Sequence, residues 1–401
     1  MRCVCWRLPT EKPPGRTETF ASALQYAGAG CPAVLQGLTI PQGGNRRCIM
    51  GKRIVIVGAG AVGGYTGAHM ARAGEDVTFI DPWPEHVETM RRDGLRITHH
   101  QGEEPFVARP RALHLTEAQQ FSKEAPFDIA FICMKSYDTT WAAQLIQQYL
   151  GANAYVVSLQ NCMNEAAIAE VVGWGRVLGC IASNISVGLV EPGHVHRGGL
   201  KGGSSHTVYR TGEVHGRISE RAQEVRDLVS HADSAKVTDN LWGERWSKLV
   251  TNSMGNGVSA CTGLSGAQMA QNETVRRFQA RLAAEAIRIG QALGYKLEEI
   301  NHLPPDVIAG AGEGDPEALA RYEERLRTQP RGSADQRPSM GQDIMKGRRT
   351  EIEFLNGFVV REGEKVGLAA RANERLVDLV KQVERGALQP DPRHITELRL
   401  N

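Results

Sequence analysis

A glycine-rich turn between a strand and a helix constrains the fold of this chain more than any other feature. The segment KRIVIVGAGAVGGYTG places Gly58, Gly60 and Gly63 in a G-x-G-x-x-G pattern, directly after a predicted buried strand at 53–57. Gly58 permits the tight turn, Gly60 lets a pyrophosphate approach the backbone, and Gly63 allows the helix to pack closely on the strand. Val62 lies in the same turn, where the helix N-terminus offers free N–H groups to phosphates. The segment therefore predicts a Rossmann-type dinucleotide-binding turn.

An acidic residue ends the next predicted strand, 76–80, and bears on the choice of dinucleotide. Asp81 lies about 20 residues beyond the middle glycine, as the dinucleotide fingerprint requires. A carboxylate there accepts hydrogen bonds from ribose hydroxyls and repels a 2′-phosphate, and the adjacent PWPEHV contains no arginine to bind one. Asp81 therefore favours NAD(H) over NADP(H). An aspartate that only caps the following helix is the alternative.

Two further predicted strands carry polar residues at their carboxyl ends. FDIAFICMK ends in Lys135, and AYVVSLQN ends in Asn161. In a doubly wound sheet the strand C-termini line the ligand crevice, so we expect both side chains to meet cofactor or substrate. A solvent-facing loop is the alternative for Lys135. The β-rich segment that follows contains His194 and His196 in H-V-H, but no third ligand is apparent, so no metal site is predicted.

From about residue 240 the pattern changes from alternating strands and helices to helices alone. Helices are predicted over the segment that begins DNLWGERW, over 272–294, within 338–367 and over 372–385, with an exposed insertion and one short helix at about 311–337. We predict a 1–49 extension without ordered structure, a 50–239 dinucleotide-binding domain and a 240–401 helical domain. The fold class is thus α/β, a Rossmann-type doubly wound sheet followed by an all-α C-terminal domain.

The first helix of the second domain carries a row of polar side chains. In RWSKLVTNSMGNG, Lys248, Asn252 and Asn256 recur at i, i+4 and i+8 and share one helical face. A partly buried lysine has a lowered pKa and can protonate the oxygen of a carbonyl that receives hydride. The two carboxamides can bind polar substrate groups without adding charge. A solvated helix face is the alternative, although Trp246 and Met254 make the segment unusually apolar for one.

The third predicted helix adds two candidate residues. Ser339 and Gln342 have the S-x-x-Q spacing of a capping box, and the Ser339 hydroxyl could turn toward a substrate carboxylate. Glu351 follows on the same predicted helix and offers a carboxylate to the cleft between the two domains.

The composition fits a globular chain and argues against several classes of protein. Apolar residues make up 41% and charged residues 23% of the 401 residues, enough to bury a sizeable core. The formal net charge of +2 comes without a long basic run, which argues against nucleic-acid binding. No apolar segment approaches the ~20 residues that span a bilayer, and the eight cysteines form no C-x-x-C pair. We expect a soluble, cytoplasmic protein that binds no membrane.

Over about residues 50–390 the chain resembles the ketopantoate reductase (2-dehydropantoate 2-reductase) family. The resemblance lies in VGAGAVGG, CMKSYD, LQNCMNE, EPGHVHRGG, LWGERWSKLVTNSMGNG and SMGQDIMKGRRTEIEFLNGFVV. It implies a Rossmann domain, a helical domain and reduction of a 2-oxo acid by a nicotinamide cofactor. By position it implies that Lys248 is the general acid, Asn252 and Asn256 lie near the substrate, Ser339 binds its carboxylate, Glu351 binds its hydroxyl, and Lys135 and Asn161 line the cofactor side.

Two departures from the family pattern leave alternatives open. The family usually uses NADPH with a basic or small residue after the second strand, where this chain has Asp81, and its usual Asn-Gly turn is Asn161-Cys162 here. We expect reduction of 2-dehydropantoate to pantoate, with NAD(H) favoured by Asp81 and NADP(H) implied by the family. The alternatives are an NAD-dependent D-2-hydroxyacid dehydrogenase of the same family, acting on an acid such as mandelate, and a non-catalytic dinucleotide-binding sensor. A homodimer is compatible with this family.

Overall fold

A computed structural model describes residues 51–100, 103–328 and 337–398, all within one compact unit of the chain, Met50–Asn401. The predicted extension 1–49 lies outside the described residues. In the described part of the chain, no helix is both long and apolar enough to cross a membrane.

Two sheets are present in the described residues. In chain order, the strands are β1 (Arg53–Val57), β2 (Asp76–Asp81), β3 (Leu95–His99), β4 (Phe106–Ala108), β5 (Arg111–His114), β6 (Phe127–Ile132), β7 (Leu150–Ser158), β8 (Val177–Ala182), β9 (Val187–Glu191), β10 (His194–Arg197), β11 (Tyr209–Glu213) and β12 (Ala235–Thr238). The larger sheet has the order β12-β11-β8-β7-β6-β1-β2-β5, and its neighbours are parallel except β8 and β11. The smaller sheet has the order β4-β3-β10-β9.

The helices surround the larger sheet and then continue alone. They are α1 (Ala61–Arg72), α2 (Pro84–Asp93), α3 (Thr139–Gln147), α4 (Glu165–Val172), α5 (Glu220–Ser230), α6 (Leu241–Thr262), α7 (Gly266–Gln271), α8 (Glu273–Ala292), α9 (Pro305–Glu313), α10 (Pro316–Thr328), α11 (Ser339–Met345), α12 (Asn356–Lys365), α13 (Arg371–Glu384) and α14 (Arg393–Thr396). The predicted fold class is confirmed: a Rossmann-type sheet domain precedes a helical domain.

Strand β1 shows why the larger sheet is covered on both faces. Successive side chains of a strand point to opposite faces. Ile54 and Ile56 belong to one buried apolar cluster, whereas Val55 and Val57 belong to another. A strand buried on both sides is what parallel βαβ units produce, since their crossover helices cover both faces.

The order of strands creates a crevice at the carboxyl end of β1. The chain runs outward from β1 to β2 and β5, and then returns to β6 on the other side of β1. Such a reversal is a topological switch point, where open α/β sheets bind ligands. The glycine turn follows β1 and Lys135 follows β6, so both lie at this crevice.

Two expectations about the helical domain are wrong. The predicted third helix is two helices, α11 and α12, and Glu351 lies in the turn between them. The predicted capping box is absent, because the residue that caps α11 is Pro338, no side chain caps the helix, and Gln342 donates instead to the Arg337 carbonyl. The expected exposed insertion with one helix agrees with the described residues: α10 is mostly exposed, although it buries Tyr322 in the apolar core of the domain.

Candidate active site

The glycine turn has the shape of a phosphate cradle. Gly58 has φ of +102°, and a Cβ on it would lie 2.8 Å from the sulfur of Met134. A Cβ on Gly63 would lie 2.1 Å from the Gly58 carbonyl oxygen, so both glycines are required by the packing of the turn itself. A Cβ on Gly60 would meet nothing within 4 Å. Gly60 therefore faces open space beside the free N–H groups of the first turn of α1, which fits a pyrophosphate.

Two other predicted cofactor residues are associated with this turn: Asp81 bonds to it and Val62 lies at the start of α1. The Asp81 carboxylate accepts hydrogen bonds from the Ala59 N–H at 2.8 Å and the Trp83 N–H at 2.9 Å, and is 7% exposed. It thus ties the glycine turn to the loop after β2, and its contact with a ribose stays a prediction. Val62 is partly buried against the apolar cluster beneath α1, so its backbone rather than its side chain faces the cradle.

Lys135 joins the crevice to the helical domain through two carboxylates. Its Nζ lies 2.6 Å from Asp343 Oδ2, on α11, and 3.3 Å from Glu351 Oε2. Burial acts to lower the pKa of Lys135, but the charges of Glu351 and Asp343 outweigh it, and the pKa lies above its usual value. Lys135 is therefore a permanent cation in this state, held at the edge of the crevice.

Glu351 is buried and held by donors from the loop after β6. Its Oε1 accepts from the Ser136 N–H at 2.9 Å and from the Ser136 hydroxyl at 2.8 Å, and the residue is 4% exposed. Asn164 in turn donates to the Ser136 hydroxyl oxygen at 3.1 Å. The sheet domain thereby fixes the position of a carboxylate that belongs to the helical domain.

Lys248 lies on α6, and its Nζ donates to the carbonyl oxygen of Ala182 at the end of β8. Burial, followed by the positive charge of Arg245, lowers its pKa to about 7, while the negative charge of Glu351 acts in the opposite direction. A lysine with this pKa carries its proton in about half of the molecules at neutral pH, as a general acid requires.

The two asparagines of the predicted polar row have no bound partners in the described part of the chain. Asn256 is 9% exposed and Asn252 is half-buried, and neither carboxamide has a hydrogen bond to a described residue. Buried carboxamides are usually hydrogen-bonded. Lys248, Asn252 and Asn256 lie on successive turns of one face of α6, so the two free carboxamides extend from Lys248 along the helix.

Two predicted residues are less closely tied to this group. Ser339 is exposed at the first position of α11, one turn before Asp343, and its hydroxyl contacts none of the other candidate residues. Asn161 lies in the loop after β7, where its backbone carbonyl accepts from Asn164 at 2.7 Å. The following Cys162 has φ of +65°, a left-handed conformation that glycine adopts without strain. This is the turn where the family pattern has glycine.

A buried ion pair missed at the sequence level holds α6 against the sheet. Arg245 is 1% exposed and pairs with Glu165, which is fully buried on α4. Arg245 also donates to the Gln160 carbonyl at 2.7 Å and to the Ser158 carbonyl at 3.1 Å, both at the end of β7. The sequence signal for a buried charge was an arginine beside Trp246 in an otherwise apolar helix. That signal could not identify the partner, Glu165, because it lies 80 residues away in the chain.

Asp343 and Ser136 were also not predicted as site residues. Asp343 is one helical turn after Ser339, on the side of α11 that meets Lys135. Ser136 directly follows Lys135 and binds Glu351. Short polar residues beside predicted site residues were the only signal for either one.

Comparison with protein families gives two matches that together cover most of the described chain. The family described as "Ketopantoate reductase PanE/ApbA" matches residues 54–205, and "Ketopantoate reductase PanE/ApbA C terminal" matches residues 240–384. Two curated relatives are named 2-dehydropantoate 2-reductase. The one from Pyrococcus horikoshii is 30% identical over 83% of this chain and 97% of its own length, and the one from Archaeoglobus fulgidus is 28% identical over 84% and 99%.

Solved structures with a similar fold carry two kinds of name. A PanE/ApbA family ketopantoate reductase from Ralstonia eutropha has a TM-score of 0.67 and 26% identity, covering 83% of this chain and 99% of that one. A D-mandelate dehydrogenase solved with NADH and anilino(oxo)acetate has a TM-score of 0.68 and 23% identity, with the same coverage. The latter similarity concerns the fold alone.

Proposed function

Because this chain belongs to the ketopantoate reductase family of oxidoreductases, we propose that it reduces 2-dehydropantoate to pantoate. Lys248 supplies the proton, and a bound nicotinamide dinucleotide supplies the hydride. The observation that carries this proposal is the environment of Lys248, which combines burial, the neighbouring charge of Arg245 and a pKa of about 7. Relatives named 2-dehydropantoate 2-reductase, at 28% and 30% identity, support the choice of substrate.

Each residue of the site has a chemical task in this proposal. Lys248 donates a proton from Nζ to the carbonyl oxygen of the 2-oxo acid as that oxygen gains negative charge. The partnerless carboxamides of Asn252 and Asn256 donate hydrogen bonds to polar substrate groups. Glu351 accepts a hydrogen bond from the substrate hydroxyl with the oxygen that does not bind Ser136. Ser339, exposed at the start of α11, binds the substrate carboxylate.

On the cofactor side, the glycine turn binds the pyrophosphate through Gly60 and the amides that open α1. Lys135 and Asn161 border the crevice at the ends of β6 and β7. In the described structure Lys135 is held by Asp343 and Glu351, so its Nζ has to leave at least one carboxylate before it can contact a ligand. The division of the chain into domains at residue 240 is part of the same proposal, and the separate family matches support it.

We propose NADH as the preferred cofactor. Asp81 ends β2 with a buried carboxylate, and the loop that follows has no arginine to bind a 2′-phosphate. Asp81 accepts two backbone hydrogen bonds, one to each oxygen, so each oxygen keeps a lone pair for a ribose hydroxyl.

A second candidate activity is the interconversion of another 2-oxo acid and its D-2-hydroxy acid with NAD(H). Two observations favour it: Asp81 at the end of β2, and Cys162, whose side chain replaces the glycine of the usual turn. The structural relative named D-mandelate dehydrogenase, which binds NADH, has the same fold.

Initial rates with NADH and NADPH over a panel of 2-oxo acids, 2-dehydropantoate included, test these choices. We expect the highest kcat/KM with 2-dehydropantoate and NADH, and we expect Asp81→Arg to shift preference toward NADPH by at least about tenfold, because removing the charge repulsion is worth on the order of 1 kcal/mol or more. Preference of the wild type for NADPH would contradict the cofactor proposal. Higher activity with phenylglyoxylate would favour the second candidate, and cofactor binding without turnover of any acid would indicate a sensor.

A further inference from the structure

Three ionisable side chains outside the proposed active site converge between α1 and the smaller sheet. His69 lies on α1, His99 is the last residue of β3, and Glu103 lies in the connection to β4. One ligand atom from each residue lies within 4.8 Å of the other two. His99 Nε2 is 3.3 Å from Glu103 Oε2. The cluster therefore joins elements that are distant from Lys248 in the sequence. No contact described above connects these elements with Lys248.

Four polar atoms of this cluster make no hydrogen bond, although two of them, His99 Nε2 and Glu103 Oε2, face each other at 3.3 Å. His69 Nε2, both ring nitrogens of His99 and Glu103 Oε2 are buried without a hydrogen bond. His69 is 5% exposed, and the side chain of His99 is 2% exposed. A buried polar atom left unpaired costs roughly 1–3 kcal/mol. Four buried polar atoms without hydrogen bonds in one place indicate that the cluster binds a ligand that can bond to several of them at once.

Both histidines are in the protonation state that a metal ligand needs. Burial, reinforced by the charge of Lys201, lowers the pKa of His69 to about 3. Burial also lowers the pKa of His99, against the opposing charge of Glu103. Burial thus favours the neutral form of both imidazoles, the form in which a ring nitrogen has a lone pair for a metal.

We propose that His69, His99 and Glu103 bind one divalent transition-metal ion of the Zn²⁺ class. Two imidazoles and one carboxylate, with water as the fourth ligand, form a common tetrahedral zinc set. Bonds of about 2.0–2.2 Å place neighbouring ligand atoms about 3.3 Å apart, and His99 and Glu103 already have this spacing. Binding draws the His69 ring toward that pair.

The surroundings support the cluster in two ways. Lys201 Nζ lies 2.5 Å from Glu103 Oε1, which leaves Oε2 directed at the histidines, an arrangement typical of groups that orient metal ligands. The other nearby buried cation, Arg197, is balanced by Asp233 at 2.5 Å. The ion would link α1, whose first turn forms the phosphate cradle, to the smaller sheet, and so would brace that helix.

Zinc binding by the full-length chain tests the proposal. Protein stripped with a chelator is titrated with Zn²⁺ in competition with a chromophoric chelator, for the wild type and for His69→Ala and Glu103→Gln. We expect one tight site in the wild type, its loss in His69→Ala and at least about tenfold weaker binding in Glu103→Gln, which keeps the size of the side chain. His196→Ala is the matched control, because His196 lies on the same sheet but bonds to Thr98, and we expect it to bind like the wild type.

Substitution with Co²⁺ distinguishes this cluster from the cysteines. A tetrahedral nitrogen–oxygen site gives visible ligand-field bands without thiolate-to-metal charge transfer. In Glu103→Gln these bands should shift and require at least about tenfold more Co²⁺ to saturate, which tests the proposal even if His69→Ala fails to fold. Absence of tight zinc binding in the wild type would overturn the proposal and assign water to the cluster. Equal binding by the wild type and both ligand variants, or a thiolate spectrum, would also overturn it.

Discussion

At the scale of single residues, the environment that we propose suits Lys248 to catalysis also reduces the stability of the fold. Burial and the nearby guanidinium of Arg245 disfavour the charged ammonium, which lowers its pKa from 10.5 to about 7. The unfolded chain then binds more protons than the folded chain between these two pH values. The free energy of unfolding therefore rises with pH between about 7 and 10.5. The destabilisation caused by Lys248 is greatest below about pH 7, where the lysine is charged in both states.

Replacing Lys248 with an apolar side chain of similar length should stabilise the fold. We expect Lys248→Met to raise the free energy of unfolding by about 1–3 kcal/mol at pH 6, because a partly buried charge is removed. The gain should shrink as the pH rises from 7 toward 10.5, where the wild-type lysine loses its proton in both states. Urea unfolding at several pH values measures this difference. A variant less stable than the wild type at pH 6 would show that the ammonium is stabilised by its surroundings.

At the scale of elements, the Arg245–Glu165 pair determines how α6 meets the sheet. The pair is completely buried, and Arg245 also binds two carbonyls at the end of β7. Removal of one partner leaves an uncompensated buried charge, which typically costs 3–5 kcal/mol, whereas replacement of both by apolar residues is often neutral. The pair therefore acts mainly to fix the position of α6, the helix that carries Lys248.

A single and a double variant test whether the Arg245–Glu165 pair positions α6. We expect Arg245→Met alone to lose about 3–5 kcal/mol of unfolding free energy, and the double variant Arg245→Met, Glu165→Met to recover most of that loss. In the double variant the pKa of Lys248 should rise, since the charge of Arg245 no longer opposes the ammonium. The descending limb of the pH–rate profile should then move to higher pH. A double variant as unstable as the single one, with an unchanged profile, would contradict this role.

The same scale shows where prediction from sequence fails. Long helices with a steady apolar period, such as α6 and α8, were predicted close to their observed bounds. The prediction of one third helix was wrong because α11 ends before Gly347, where a φ of +61° and the bond from the Arg348 N–H to the Asp343 carbonyl form a local C-terminal turn. The contacts of Glu351 with Ser136 and of Asp343 with Lys135 were missed for a different reason. Those contacts join residues more than 200 positions apart, and no local pattern reports them.

At the scale of the whole molecule, the two domains meet through charged and polar contacts around one crevice. Lys135 and Ser136 from the sheet domain bind Glu351 from the helical domain, while Lys248 binds the end of β8. The glycine turn and the polar residues that end the predicted strands made the position of the crevice predictable, and helix periodicity made the row from Lys248 to Asn256 predictable. The pairing of Arg245 and the histidine cluster at α1 depend on three-dimensional proximity, so the sequence alone gave no sign of either.

The pH dependence of the reaction follows from the same Lys248. In the proposed mechanism the protonated lysine is the acid, so the rate of 2-oxo acid reduction should fall as the pH rises through about 7. The rate of the reverse oxidation should rise over the same range, since it needs the neutral amine. Initial rates in both directions across this range measure the effect, and a reduction rate that is flat from pH 6 to 9 would exclude a lysine of this pKa as the acid.

The most direct measurement of the central claim is the single-turnover rate of NADH oxidation by the preferred 2-oxo acid in Lys248→Ala. Loss of a general acid should reduce this rate by about 10²–10⁴-fold, while NADH binding, followed by fluorescence, stays within about twofold of the wild type. Lys123→Ala is the control, because Lys123 is an exposed lysine outside the candidate site, and this variant should react like the wild type. A near-normal rate in Lys248→Ala would contradict the assignment of Lys248 as the proton donor.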